Sequence, residues 1–236
     1  MTIRDHSRGK SVTIVAGAPI RHDGRLYDCA VVIRDGNVLG VVPRMHVSGS
    51  GGAQGARWFS SGSDFLSFNG RSSSPVYDDG KNLFREGFSP LVEICSQRVN
   101  ISPNLIFSIG KADVAVEVGE DLQATVPPSS WHALAGADVI VNISASNELV
   151  VKDDARRKHI LDQSGRTLSG YIYCSCGYGE STQDVVYAGS SLICEKGKAL
   201  AEGVRFGKGD DLIVSDIDVE RLHAFRRRSG WFGALA

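Results

Sequence analysis

The chain has 236 residues, with Lys+Arg 26 set against Asp+Glu 27 for a formal net charge of -1. That length holds one large α/β domain or two small ones, and the balanced charge excludes a nucleic-acid binder that works through overall charge. Hydrophobic residues make up 42%, yet no apolar run approaches the roughly 20 residues that a membrane-spanning helix needs.

The first residues, MTIRDHSRGK, are polar and hold no signal-peptide core. Residues 11–20 and 29–43 then read as strands, β-branched and bounded by Gly, Pro and Asp. Asp35-Gly36 lies between two apolar runs and predicts a hairpin turn. Residues 48–80 turn polar and rich in glycine and serine, a long irregular loop of the kind that is usually functional or disordered. Strand signals return at 91–95, 104–109 and 112–119. Residues 127–137 read as a helix, with prolines at its start and Trp131, Leu134 and Ala135 at helical spacing. A buried-type strand follows at 138–143, and charged and apolar residues alternate with helical period over 152–168. Strands are expected at 171–176 and across a hairpin at 191–204. A closing strand over 211–222 is expected to run into a helix. Strands broken by two helices and joined partly by hairpins predict a mixed sheet in an α/β sandwich. The organisation read from this is one domain over 1–225 and a C-terminal tail at 226–236.

Five cysteines, an odd number, suggest reduced thiols and a cytoplasmic setting. Cys174-Ser175-Cys176 is a weak metal signal without a second Cys/His cluster, and two thiols near a strand end is the better reading. His22, His46 and His132 fit no ligand pattern. Arg226-Arg227-Arg228 reads as a solvated face at a helix C-terminus.

The segment VEVGEDLQATVPPSSWHALAGADVIVNISASNE (116–148) resembles the carbon–nitrogen hydrolase (nitrilase) superfamily. More closely it resembles the glutaminase domain of glutamine-dependent NAD synthetases. That family carries E-I-C-E-D at a strand end, then P-P-S, a helix, and A-G-A-x-x-x-x-N-x-S-x-S. Residues 155–206 and 14–43 add two further matching blocks in the same order. The resemblance implies an α-β-β-α sandwich. Its chemistry is amide hydrolysis by a Glu–Lys–Cys triad, in which cysteine attacks the glutamine carbonyl, glutamate is the base and lysine stabilises the oxyanion.

Carried over residue by residue, the triad is not there. Gly119 stands at the nucleophile position and Arg44 at the lysine, in Val42-Pro43-Arg44. The base precedes the region matched here, and MTIRDHSRGK offers no counterpart. The expectation is therefore a sandwich without its first strand and helix, with an exposed sheet edge. Ser50 stands where the family has a substrate-side tyrosine, and Gly52 and Gly55 where it has glutamates. Glu120, Ser144, Ser146 and Lys152 are retained candidates for the substrate pocket. Ser146 and Lys152 read equally as ligand contacts or as plain polar residues, and Glu120 reads better as structural. Cys95, in VEIC, is the one alternative nucleophile, though a buried strand cysteine is the plainer reading. The S-G-G-x-D-S motif of the synthetase half is absent, so no cofactor is expected in this chain. The resemblance thus implies a degenerate, inactive glutaminase-type domain. Its expected partners are glutamine or glutamate, a second copy of the chain or an active NAD synthetase paralogue, with no nucleic acid and no membrane.

Overall fold

The computed structural model describes residues 2–47, 55–66, 76–77 and 90–235. After a short helix α1 (Ile3–His6), β1 (Thr13–His22), β2 (Arg25–Arg34) and β3 (Asn37–Pro43) form an antiparallel three-stranded sheet in that order. Asp23-Gly24 and Asp35-Gly36 both have positive φ, 45° and 75° in the first turn and 46° and 74° in the second. This is the mirror-image turn that matches strand twist and favours Asp-Gly. Only the second turn was expected. The first lies beyond the apolar run of β1, so pairing continues through polar residues to His22↔Arg25.

A one-turn helix α2 (Gly55–Trp58), a short strand β4 (Val76–Tyr77) and a hairpin of β5 (Leu91–Ile94) and β6 (Gln97–Asn100) follow. Next come β7 (Ile106–Ile109), β8 (Ala112–Val118), α3 (Pro128–Leu134), β9 (Val139–Ser144), α4 (Lys152–Thr167) and β10 (Gly170–Ser175). The chain closes with β11 (Ser191–Glu195), β12 (Lys198–Glu202), α5 (Val219–Arg228) and α6 (Gly230–Gly233). The second sheet has seven strands in the order β12-β11-β10-β9-β8-β7-β4, parallel at β10–β9 and β9–β8 and antiparallel at β10–β11, β11–β12 and β7–β8.

The two sheets pack face to face. Ala30, Val32, Leu39 and Val42 of the small sheet meet Leu105, Phe107, Val116 and Val118 of the large one. Gly40 shows how close the faces lie, because a β-carbon there would stand 2.8 Å from Leu105 Cδ1 and 3.0 Å from Phe107 Cε1. The outer face of the large sheet is covered by α3 and α4, with Ile160 buried against Ile140, Tyr171 and Leu192. The outer face of the small sheet is covered by Phe65 and by Val92 and Val99 of the β5–β6 hairpin. The fold class is therefore the expected sandwich, and β1 is an edge of the small sheet.

Several local expectations fail for identifiable reasons. Residues 211–218 form no strand; Leu212 and Val214 are exposed, and side chains hold the segment instead of a ladder. Asp211 accepts from Val204 N at 3.0 Å and Glu195 from Asp218 N at 2.8 Å. The helix then starts at Val219, with Asp218 accepting from Arg221 N at 2.9 Å as its cap. On α3 the buried face is not the expected one: Trp131 is exposed, and Ser129, His132 and Ala133 are buried. Arg226 is not solvated. Its guanidinium donates to the carbonyls of Ala137 at 2.6 Å and Leu168 at 3.2 Å, where α3 and α4 end, and lies 3.3 Å from the buried Asp138 carboxylate. The boundary drawn between 225 and 226 falls inside α5, and Phe232 beyond it is buried against Ala133 and Leu168. No helix among the described residues is long and apolar enough to cross a membrane.

Candidate active site

The site forms where β8 ends. Val118 is the last strand residue, and Gly119 follows at φ +60° before a 3-10 turn over Gly119–Gln123. An L-residue is strained in that left-handed region, which glycine occupies freely. The turn is held from beneath by side chains of the neighbouring strands. Asn142 on β9 donates to the Gly119 carbonyl at 3.1 Å and to Tyr171 Oη at 3.1 Å. The Glu117 carboxyl accepts from Tyr171 Oη and from Ser129 N, the latter at 2.9 Å. Glu117 is wholly buried, and burial raises its pKa above the usual carboxyl range.

The end of β3 is stitched to the same turn. The buried Asp121 carboxylate accepts from Met45 N at 2.9 Å and His46 N at 2.7 Å. This places Arg44 over Gly119, and a β-carbon built on Gly119 would stand 3.7 Å from the Arg44 guanidinium carbon. All three guanidinium nitrogens are occupied. Nη2 donates to Glu120 at 3.1 Å, Nε donates to the His46 carbonyl at 3.1 Å, and Nη1 lies 3.7 Å from Asp28. Burial raises the Asp28 carboxyl, and Arg44 opposes that rise.

A cleft of about 520 Å³ opens above this turn. Arg44, Gly119, Glu120, Ser144 and Ser146 line it together. Ser146 is 6% exposed, and its Oγ has no hydrogen-bond partner among the described residues. Lys152 is not in the lining. It donates to Asn147 at 2.8 Å and lies 3.9 Å from Glu120, behind the wall. Ser50 and Gly52 lie outside the described residues, and Gly55 begins α2.

Cys95 is not a buried strand cysteine. It is exposed, at φ +52° in the β5–β6 turn, with its carbonyl accepting from Arg4 at 2.6 Å, and it does not line the cleft. The thiols that do line the cleft are Cys174 and Cys176. Burial raises both pKa values, that of Cys176 to about 11 with Glu180 as a second cause, so both are protonated at neutral pH. They gather no third His, Cys, Asp or Glu in a metal-binding group among the described residues. Asp28, Glu180 and Tyr187 also line the cleft, and of these Asp28 and Tyr187 carry no signal in sequence as site residues. The parallel pairing of β9 with β10, Ser175↔Ser144, brings the Cys174–Glu180 stretch to the same sheet end as Gly119.

No family model matches the chain. The glutamine-dependent NAD(+) synthetase of Mycobacterium tuberculosis (strain ATCC 25618 / H37Rv) is 34% identical over 222 residues, covering 93% of this chain and 29% of that protein. The synthetase of Mycobacterium leprae is 34% identical over 224 residues with the same coverage, 93% and 29%. Among solved structures, the carbon-nitrogen hydrolase from Helicobacter pylori G27 superposes with a TM-score of 0.69 at 17% identity, over 98% of this chain and 70% of that one. The glutamine-dependent NAD(+) synthetase from Cytophaga hutchinsonii gives a TM-score of 0.63 at 21% identity, over 82% of this chain and 28% of that one. The chain shares its fold with the carbon–nitrogen hydrolases of the nitrilase superfamily. By sequence it is a relative of the glutaminase part of glutamine-dependent NAD(+) synthetases. It spans about 29% of the length of these curated relatives.

Proposed function

We propose that this chain is a glutaminase-type domain that keeps the ligand cleft of its relatives and does not hydrolyse glutamine. The observation that carries the reading is Gly119 at the turn where the resemblance places the nucleophile. Glycine offers no atom to attack a carbonyl, so the covalent route is closed at that position. Three further observations support it. Arg44, at the lysine position, has all three nitrogens engaged by Asp28, Glu120 and the His46 carbonyl. The Cys174 and Cys176 thiols have raised pKa values, that of Cys176 about 11, so neither is a ready thiolate. Cys95 lies outside the cleft. Removing a covalent nucleophile costs several orders of magnitude in rate even where the rest of a site survives.

The test is ammonia release from glutamine by the purified chain, alongside Cys95→Ala and a Cys174→Ala/Cys176→Ala double variant. The proposal expects all three to match the protein-free background. Saturable release that either variant abolishes overturns it and names the nucleophile. Retention of the cleft rests on a separate observation, the buried Ser146 hydroxyl in its wall, which has no partner among the described residues. A buried hydroxyl of this kind is a group that a ligand can satisfy.

A further inference from the structure

The charges around the cleft can be paired off one by one. Arg44 lies against Asp28 at 3.7 Å and Glu120 at 3.1 Å, and Lys152 lies 3.9 Å from Glu120 and donates to Asn147. Among the described residues, two cations thus face two carboxylates. A carboxylate ligand would have to break one of these pairs to gain a counter-ion. Glu180 is left over. It lines the cleft, is exposed, and has no cation partner among the described residues. The pKa values of the two cleft thiols are raised, so they add no charge to the balance. The wall also holds Ser146, 6% exposed, whose Oγ has no partner among the described residues.

We propose that the cleft selects a ligand carrying a primary ammonium group on a short uncharged chain, with Glu180 as its counter-ion and the Ser146 hydroxyl as a hydrogen-bonding group in the wall. An ammonium brings three N–H donors and no acceptor, which matches a site whose free groups are a carboxylate and a hydroxyl oxygen. A cleft whose charges among the described residues leave one negative charge uncompensated favours cations over anions. At Gly119 the nearest atoms to the place where a β-carbon would stand belong to the Arg44 guanidinium, the first at 3.7 Å, so the floor is not crowded there. This inference rests on the reading that the cleft still binds ligands, and not on the loss of hydrolysis.

The experiment titrates the purified chain with pentylammonium, pentanamide and pentanoate at pH 7, following chemical shifts of cleft-lining residues. The three probes share a chain length and differ in charge. Pentylammonium is expected to bind at least tenfold more tightly than pentanoate, with pentanamide between them. Glu180→Gln, at an exposed position, is expected to weaken pentylammonium at least fivefold and leave pentanamide unchanged. Pentanoate binding as tightly as pentylammonium overturns the proposal. So does a Glu180→Gln variant with unchanged ammonium affinity, or failure of all three probes to bind at tens of millimolar. A chain that hydrolysed glutamine and still ranked the probes in this order would refute the inactive reading alone.

Discussion

Restoring a thiol at the turn, by Gly119→Cys, tests the geometry of the site in one substitution. The backbone there sits at φ +60°, which costs a non-glycine residue about 1–2 kcal/mol. Space is not limiting, because the nearest atom to the new β-carbon is Arg44 Cζ at 3.7 Å, an ordinary contact. For a chain of this size that loss lowers Tm by roughly 2–8 °C. The new thiol would face the guanidinium. A unit charge pair about 4 Å apart is worth about 4 kcal/mol at an effective dielectric near 20. Asp28 and Glu120 already share Arg44 and oppose a third negative charge, so most of that attraction is cancelled. A fall of about one pKa unit from the free-thiol value near 8.5 is expected, worth about 1.4 kcal/mol. The assay is the pH dependence of iodoacetamide labelling at position 119, read by peptide mass spectrometry in a Cys95→Ser background. Adding Arg44→Met should return the thiol to 8.5 or above. A thiol that titrates above 9 with Arg44 intact, or a variant that does not fold, refutes the placement of Arg44 over an open turn.

Asn142→Ala removes the donor to the Gly119 carbonyl and to Tyr171 Oη. It is expected to cost about 1–3 kcal/mol in urea unfolding, and a loss below 0.5 kcal/mol would contradict the role given to that side chain. Arg226→Met leaves the carbonyls at the ends of α3 and α4 without their donor and the buried Asp138 with only His223 and the Asp113 amide as partners. A loss of about 3 kcal/mol is expected, and an unchanged Tm would show that the C-terminal helices are not clasped to the sandwich. His132 is buried with its pKa lowered to about 4 from 6.5, chiefly by burial. The unfolded chain takes up the proton first as pH falls, so the contribution of His132 is full above pH 6.5 and is lost on the way down to about 4. Unfolding free energies at pH 7.5 and 4.5 should therefore fall further for the native chain than for His132→Gln, by about 2 kcal/mol. Equal falls would refute it.

What the sequence reveals depends on how local the cause is. The Asp35-Gly36 turn is legible because one dipeptide sets the backbone and apolar runs flank it on both sides. Asp23-Gly24 uses the same chemistry but follows Arg21 and His22, and the strand there is held by cross-strand pairing that no local pattern reports. Residues 211–218 mislead in the opposite direction. Their run of Leu212, Ile213 and Val214 looks like a strand, yet Leu212 and Val214 face solvent and the tethers are Asp211 and Glu195. Gly119 is legible as a substitution within the 116–148 match, and Arg44 as one directly after the 14–43 block. Their consequence is not, because Asp28, Glu120 and Lys152 come from three separate segments, and only the folded chain shows that both cations are already paired. Cys95 and Cys174 exchange roles for the same reason. A strand-like context suggests burial for the first, while strand order alone carries the second into the cleft.

The most direct test of the central claim is the intact mass of the chain, acid-quenched seconds after mixing with saturating glutamine. A working glutaminase of this superfamily passes through a glutamyl thioester, which adds the acyl group to one cysteine. The account predicts an unchanged mass at every quench time. A glutamyl adduct on any cysteine, formed and discharged in step with ammonia release, would contradict it.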